Sequence, residues 1–98
     1  MKSLTIGLDY DDTFTADFVL WAGFIRQAIL LGHRVLMVTA RRETEENVDQ
    51  INSHLDQYQC QIPIYFTSLR SKIDYMKERG INVDIWIEND PVTLVRGH

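Results

Sequence analysis

The sequence predicts an α/β fold in which a parallel sheet of about four strands is covered by helices on both faces. Three observations carry this. Short apolar runs alternate with longer segments of helical periodicity; each helical segment is followed by a glycine or by a proline-led strand; and three of the apolar runs, ending at Leu8, Val38 and Ile87, are each followed at once by a polar residue.

Leu4 to Leu8 contains β-branched Thr5 and Ile6 and stops at turn-forming aspartates, so it is a buried strand rather than a helix. From Asp17, a candidate N-cap, the period becomes helical: Phe18, Trp21, Ala22, Ile25, Ala28 and Ile29 recur at spacings of three and four, with Gly32 as the stop. Val35 to Val38 is a second strand ending at Thr39. Arg41 to Glu46 opens a second helix whose acids favour the positive end of the dipole, and Val48, Ile51, Leu55 and Tyr58 form its apolar stripe. Pro63 starts a third strand, Ile64 to Phe66. Ser68 is expected to cap a third helix that turns Ile73 and Met76 inward and stops at Gly80. Val83 to Ile87 is the fourth strand, and the closing VTLVRGH is too short to assign. Strands and helices in this alternation make a three-layer, Rossmann-like sheet in the order 3-2-1-4 with right-handed crossovers, and such sheets bind ligands at the carboxyl ends of their strands.

At 98 residues, 45% hydrophobic and 24% charged, the chain suits one domain, 1–98. Lys and Arg total 10 against 14 Asp and Glu, a net charge of -4 with no basic tract, which argues against a non-specific grip on nucleic acid. A single cysteine, Cys60, rules out an internal disulfide and fits a reducing compartment; it reads as a small, partly buried side chain. No apolar run approaches the ~18 residues of a membrane span, and MKSLTIG lacks a signal segment, so a soluble, cytoplasmic protein without membrane partners is expected. His33, His54 and His98 have no metal-site spacing and read as surface residues, while Trp21 and Trp86 read as core aromatics.

The stretch that carries chemistry is LTIGLDYDDTFT. Asp9 and Asp11, delivered to a sheet edge with Asp12 beside them, repel one another unless a cation sits between them or one takes up a proton. Thr39 and Glu88 end other strands at the same rim, and Lys72 opens a helix there.

An apolar strand ending Asp9, Tyr10, Asp11 with Thr13 following, then Thr39, Lys72 and Glu88 in that order, resembles the haloacid dehalogenase superfamily over nearly the whole chain. The resemblance implies a magnesium-dependent phosphatase. Asp9 would attack phosphorus to form an aspartyl-phosphate, and Asp11, its pKa raised by crowding beside Asp9 and Glu88, would protonate the leaving oxygen and then activate water. Thr39 would donate to a phosphoryl oxygen, and Lys72 would neutralise Asp9 and the phosphate, with Lys77 a less well placed substitute. Thr13, Ala40 and Arg41 would contact substrate, and Arg41 and Arg42 suit a phosphate or carboxylate. Asp9, Asp11 through its carbonyl, and Glu88 would hold Mg2+, with Asp90 the alternative to Glu88.

Departures from the family pattern matter. Asp12 stands where glycine is common and is a candidate for a local Asx turn. FTAD is too short for the usual flap, and no segment is long enough for a cap domain. The partners expected are therefore a phosphorylated small molecule or an exposed phosphate on a macromolecule, with room for a neighbouring copy of the chain as lid in a homo-oligomer. The alternative is a weak or inactive module of the same type that binds magnesium or regulates. A response-regulator receiver is set aside, because the third strand ends in Phe66 and Thr67 rather than in an aspartate.

Overall fold

The elements follow the expected alternation: β1 (Thr5–Leu8), a 3-10 turn (Phe14–Ala16), α1 (Phe18–Leu30), β2 (Arg34–Thr39), α2 (Glu45–Gln57), β3 (Ile64–Phe66), α3 (Lys72–Glu78), β4 (Ile85–Ile87) and α4 (Val92–Val95). The structure, a computed structural model, describes residues 2–96, so His98 lies outside the described residues. The strands form one parallel sheet in the order β3-β2-β1-β4, the order expected of the fold class. The chain steps outward from β1 to β2 and β3, then crosses back to place β4 on the other side of β1. That reversal opens a crevice at the strands' carboxyl ends. Leu8 pairs with Met37 on one side and Ile87 on the other, so Asp9 and Glu88 leave the sheet side by side.

Two cores sandwich the sheet. On one face, Ala22, Ile25 and Ala28 of α1 and Ile51 and Leu55 of α2 pack on Ile6, Leu8, Val35 and Met37. On the other, Met76 of α3 packs with Leu36, Val38 and Trp86. Gly7 is needed between them: a Cβ there would lie 2.8 Å from the Trp86 ring, closer than side chains tolerate. Asp17 caps α1 by accepting the Leu20 N–H at 3.0 Å, and Gly32, at φ 91, turns the chain out of the helix. Trp21 and Trp86 are half-buried, and Cys60 is fully rather than partly buried, which pushes its thiol pKa up.

Three local expectations are corrected. The second helix starts at Glu45, not Arg41, because Thr44 caps it by accepting the Asn47 N–H at 3.1 Å; Glu45 and Glu46 still occupy the first turn, but Arg41 and Arg42 stay in the loop. The third helix is capped by Ser71, not Ser68. Ser68 and Leu69 take left-handed φ values of 52 and 67, which swing the chain round before Ser71 accepts the Asp74 N–H. β4 begins at Ile85 rather than Val83, since the Asp84 carboxylate and N–H are both engaged by the Thr5 backbone. The segment left unassigned contributes the single turn of α4. No helix among the described residues is long and apolar enough to cross a membrane.

Candidate functional site

Asp9 is the first residue past β1, yet its N–H still donates to the Ile87 carbonyl at 3.0 Å, so its backbone is tied to the end of β4. Its side chain is buried and fully engaged. Lys72, the first residue of α3, donates to Oδ1 at 2.7 Å; the Thr13 hydroxyl donates to Oδ2 at 3.2 Å. Lys72 is only 1% exposed and also donates to Glu88 Oε1 at 2.5 Å, so one ammonium bridges the ends of β1 and β4. Glu88 Oε2 accepts the Asp90 N–H at 3.2 Å. Burial pushes the Asp9 pKa up to about 6, with Lys72 opposing the rise and Glu88 adding to it.

Asp11 points elsewhere. Both its oxygens accept from Arg41, at 2.9 Å from Nε and 2.8 Å from the terminal nitrogen, in a two-bond fork. Arg41 in turn donates to Asn47 and Gln50 of α2 and lies 5.0 Å from the centre of the Tyr10 ring. The sequence points to Asp11 as the crowded carboxyl. In the structure Asp9 is the one with Glu88 against it, and Asp11 faces a guanidinium.

The loop from Asp9 to Thr15 is short because it folds on itself. Asp12 takes a left-handed φ of 62, and its N–H donates to Thr15 Oγ1 at 2.9 Å, so Thr15 closes the turn expected of Asp12. The 3-10 turn, Phe14–Ala16, joins this loop to α1. Asp12 and Ala40 line a cleft of about 180 Å³ together with Asp9, Asp11, Lys72 and Glu88. Thr39 does not line it: the residue is 1% exposed, and its hydroxyl accepts the Arg41 N–H at 3.3 Å. Lys77 is exposed in the last turn of α3, and Arg42 is exposed in its loop.

His33 and His54 are half-buried rather than superficial. His33 Nδ1 accepts the Leu4 N–H at 3.0 Å, and His54 Nδ1 meets the Tyr10 hydroxyl at 2.5 Å.

Asn89 and Thr93 also line the cleft, and neither is among the candidates the sequence offers. The available signal was position: Asn89 directly follows the Glu88 that ends β4. With its amide nitrogen inward, Asn89 donates to Asp9 Oδ2 at 2.7 Å, and the Asp11 carbonyl and Thr13 Oγ1 both stand 3.2 Å away. This orientation follows from the surrounding acceptors.

Among the described residues no three His, Cys, Asp or Glu side chains converge as a metal-holding group. The convergence is of a different kind. Turned over, the Asn89 amide brings its own oxygen against Asp9 Oδ2 and the Asp11 carbonyl, the same 2.7 and 3.2 Å away. Oxygens 2.0–2.1 Å from an octahedral ion stand about 3 Å from one another, so this mixed set of carboxylate, carbonyl and amide oxygens suits a hard divalent cation. Glu88, committed to Lys72 and the Asp90 N–H, suits it less. The chain matches no protein-family model, no curated protein and no solved structure.

Proposed function

We propose that the protein is a magnesium-dependent phosphomonoesterase of the haloacid dehalogenase type, working through an aspartyl-phosphate on Asp9 in the cytoplasm. The observation that most supports this reading is the setting of Asp9: a buried carboxylate at a strand end, gripped on one oxygen by Lys72 and on the other by Thr13 and Asn89, at the wall of an open cleft. A core ion pair needs no cleft. A nucleophile does, and these donors hold the carboxylate in one orientation for in-line attack. The fully buried, lone Cys60 accords with a reducing compartment.

Asp9, the Asp11 carbonyl and Asn89, its amide turned over from the orientation that donates to Asp9, would hold the ion, which when bound neutralises charge on the phosphoryl oxygens. Asp11, once freed, takes up a proton from the incoming phosphate monoester monoanion; Asp9 forms a bond to phosphorus as the ester P–O bond breaks, and the departing oxygen takes that proton from Asp11. Water then attacks the phosphorus of the aspartyl-phosphate, gives its proton to Asp11, and releases inorganic phosphate with Asp9 restored. Lys72, placed between Asp9 and Glu88, offsets one of their two negative charges. Because both Asp11 oxygens accept from Arg41, the fork has to open before Asp11 can act. A phosphate entering beside Ala40 competes for the same guanidinium, and that exchange would free Asp11.

The fork also favours a second reading, a module that binds ligand without turnover because Asp11 stays on Arg41. Incubation with a panel of chromogenic phosphomonoesters, with magnesium or with chelator, beside Asp9→Asn separates the two. Metal-dependent release of phosphate that Asp9→Asn abolishes supports the enzyme. No turnover above the variant on any ester leaves the module.

A further inference from the structure

Behind the acidic cleft, and sharing a wall with it, lies a second and larger groove of about 310 Å³. Asp12, Glu88 and Asn89 line both. Beyond that partition the lining is Thr13, Trp21 of α1, Ile87 of β4 and Ala16 of the 3-10 turn, three of the four apolar. Trp21 is half-buried. Its ring is braced edge-on by Phe24, with centroids 5.8 Å apart at 80°, and the residue packs against the core that holds Leu8 and Phe14. Among the described residues the chain passes from β1 to α1 through a compact 3-10 turn with no hairpin between them, and the groove lies between the start of α1 and the end of β4.

We propose that this groove receives the leaving group of the phosphate ester and selects a planar aromatic ring, so that the substrates are aryl or ring-bearing phosphomonoesters; the proposal rests on the phosphatase reading. Continuity argues for it. The two spaces share Asp12, Glu88 and Asn89, so an ester whose phosphoryl group sits at Asp9 can lay its leaving group across that wall toward Trp21. The chemistry of the lining argues for a ring. A polyol or sugar chain would lose water against Trp21, Ile87 and Ala16 and find polar partners only along one wall, whereas a ring buries apolar area and gains a ring–ring contact with Trp21. The carboxylates of Asp12 and Glu88 on the shared wall disfavour an anionic leaving group. The core itself then supplies the selectivity that a cap domain would otherwise bring.

The test uses Trp21 as its own reporter. The chain has 2 tryptophans, so Trp86→Phe leaves Trp21 as the sole emitter. In that protein, with magnesium, phenyl phosphate is expected to give a saturable change in emission that inorganic phosphate and glycerol phosphate do not. Ala16→Phe, a substitution at an exposed position that fills the groove from its rim, is expected to remove that response. In turnover, Trp21→Leu is expected to lower kcat/KM about tenfold for phenyl phosphate and less than about twofold for glycerol phosphate, each relative to its own wild-type value. Absence of a Trp21 response to phenyl phosphate overturns the proposal, as does an equal loss on both esters in Trp21→Leu and Ala16→Phe. A Trp21 response without hydrolysis of either ester supports the ring site while the phosphatase reading fails.

Discussion

Lys72 Nζ lies 2.7 Å from Asp9 Oδ1, the lysine 1% and the aspartate 7% exposed, and the same ammonium reaches Glu88. Removing one partner of a buried ion pair costs far more than the pair contributes, because the other charge is left in low dielectric. Lys72→Met in the metal-free protein should therefore lose about 3–5 kcal/mol of stability at pH 8 by urea denaturation. The loss should shrink at pH 5, where Asp9 can take up a proton. Equal urea midpoints for wild type and variant at pH 8 would show that the ammonium does not hold the two strand ends.

The raised Asp9 pKa makes a signed prediction about pH. Burial, the largest cause, lifts it from 3.8 to about 6, so the folded state binds the proton more tightly than the unfolded chain. Stability from this group is therefore fully present below about pH 4 and is lost as pH rises through 6. A shift of about 2 units corresponds to roughly 3 kcal/mol. Urea titrations of the metal-free protein between pH 4 and 7 should show this decline, and Asp9→Asn should flatten it. A variant whose pH profile parallels that of the wild type would place the titration elsewhere.

Asn89 should decide whether magnesium stabilises the fold. A ligand that binds only the native state at about 100 times its Kd adds about 2.7 kcal/mol. Melting curves should rise with magnesium in the wild type, rise less in Asn89→Leu, which keeps the branched shape but loses the oxygen, and rise more in Asn89→Asp. An undiminished magnesium response in Asn89→Leu would remove Asn89 from the ligand set without touching the role of Asp9.

Gly7 and Trp86 face each other in register across β1 and β4. Because a methyl group at Gly7 would stand 2.8 Å from the ring, Gly7→Ala should cost about 1–3 kcal/mol as an overpacked site. The double variant Gly7→Ala, Trp86→Leu should recover part of that loss relative to the sum of the single variants. Simple additivity would show that the strands separate freely instead of transmitting the clash.

What the sequence determines alone is everything that local pattern can encode. Period and punctuation place four strands and their helices in order, and parallel alternation brings Asp9, Thr39 and Glu88 to one edge. Even the choice between Ser68 and Ser71 as cap is local, but it hangs on two left-handed residues that composition does not reveal. The tertiary structure decides which charges meet. Asp11 and Arg41 are 30 residues apart, and Asn89 and Thr13 are 76 apart; these contacts arise because separate strand ends converge on one rim. The same holds for Thr39, a hydroxyl at the right strand end whose side chain the fold turns onto the Arg41 N–H instead of into the cleft. Side-chain direction at a strand end depends on the loop that follows, and a loop's path is set by the partners it finds. Trp21 follows the same rule: its spacing puts it on the core face of α1, and only the angle between that helix and β4 leaves it beside a groove.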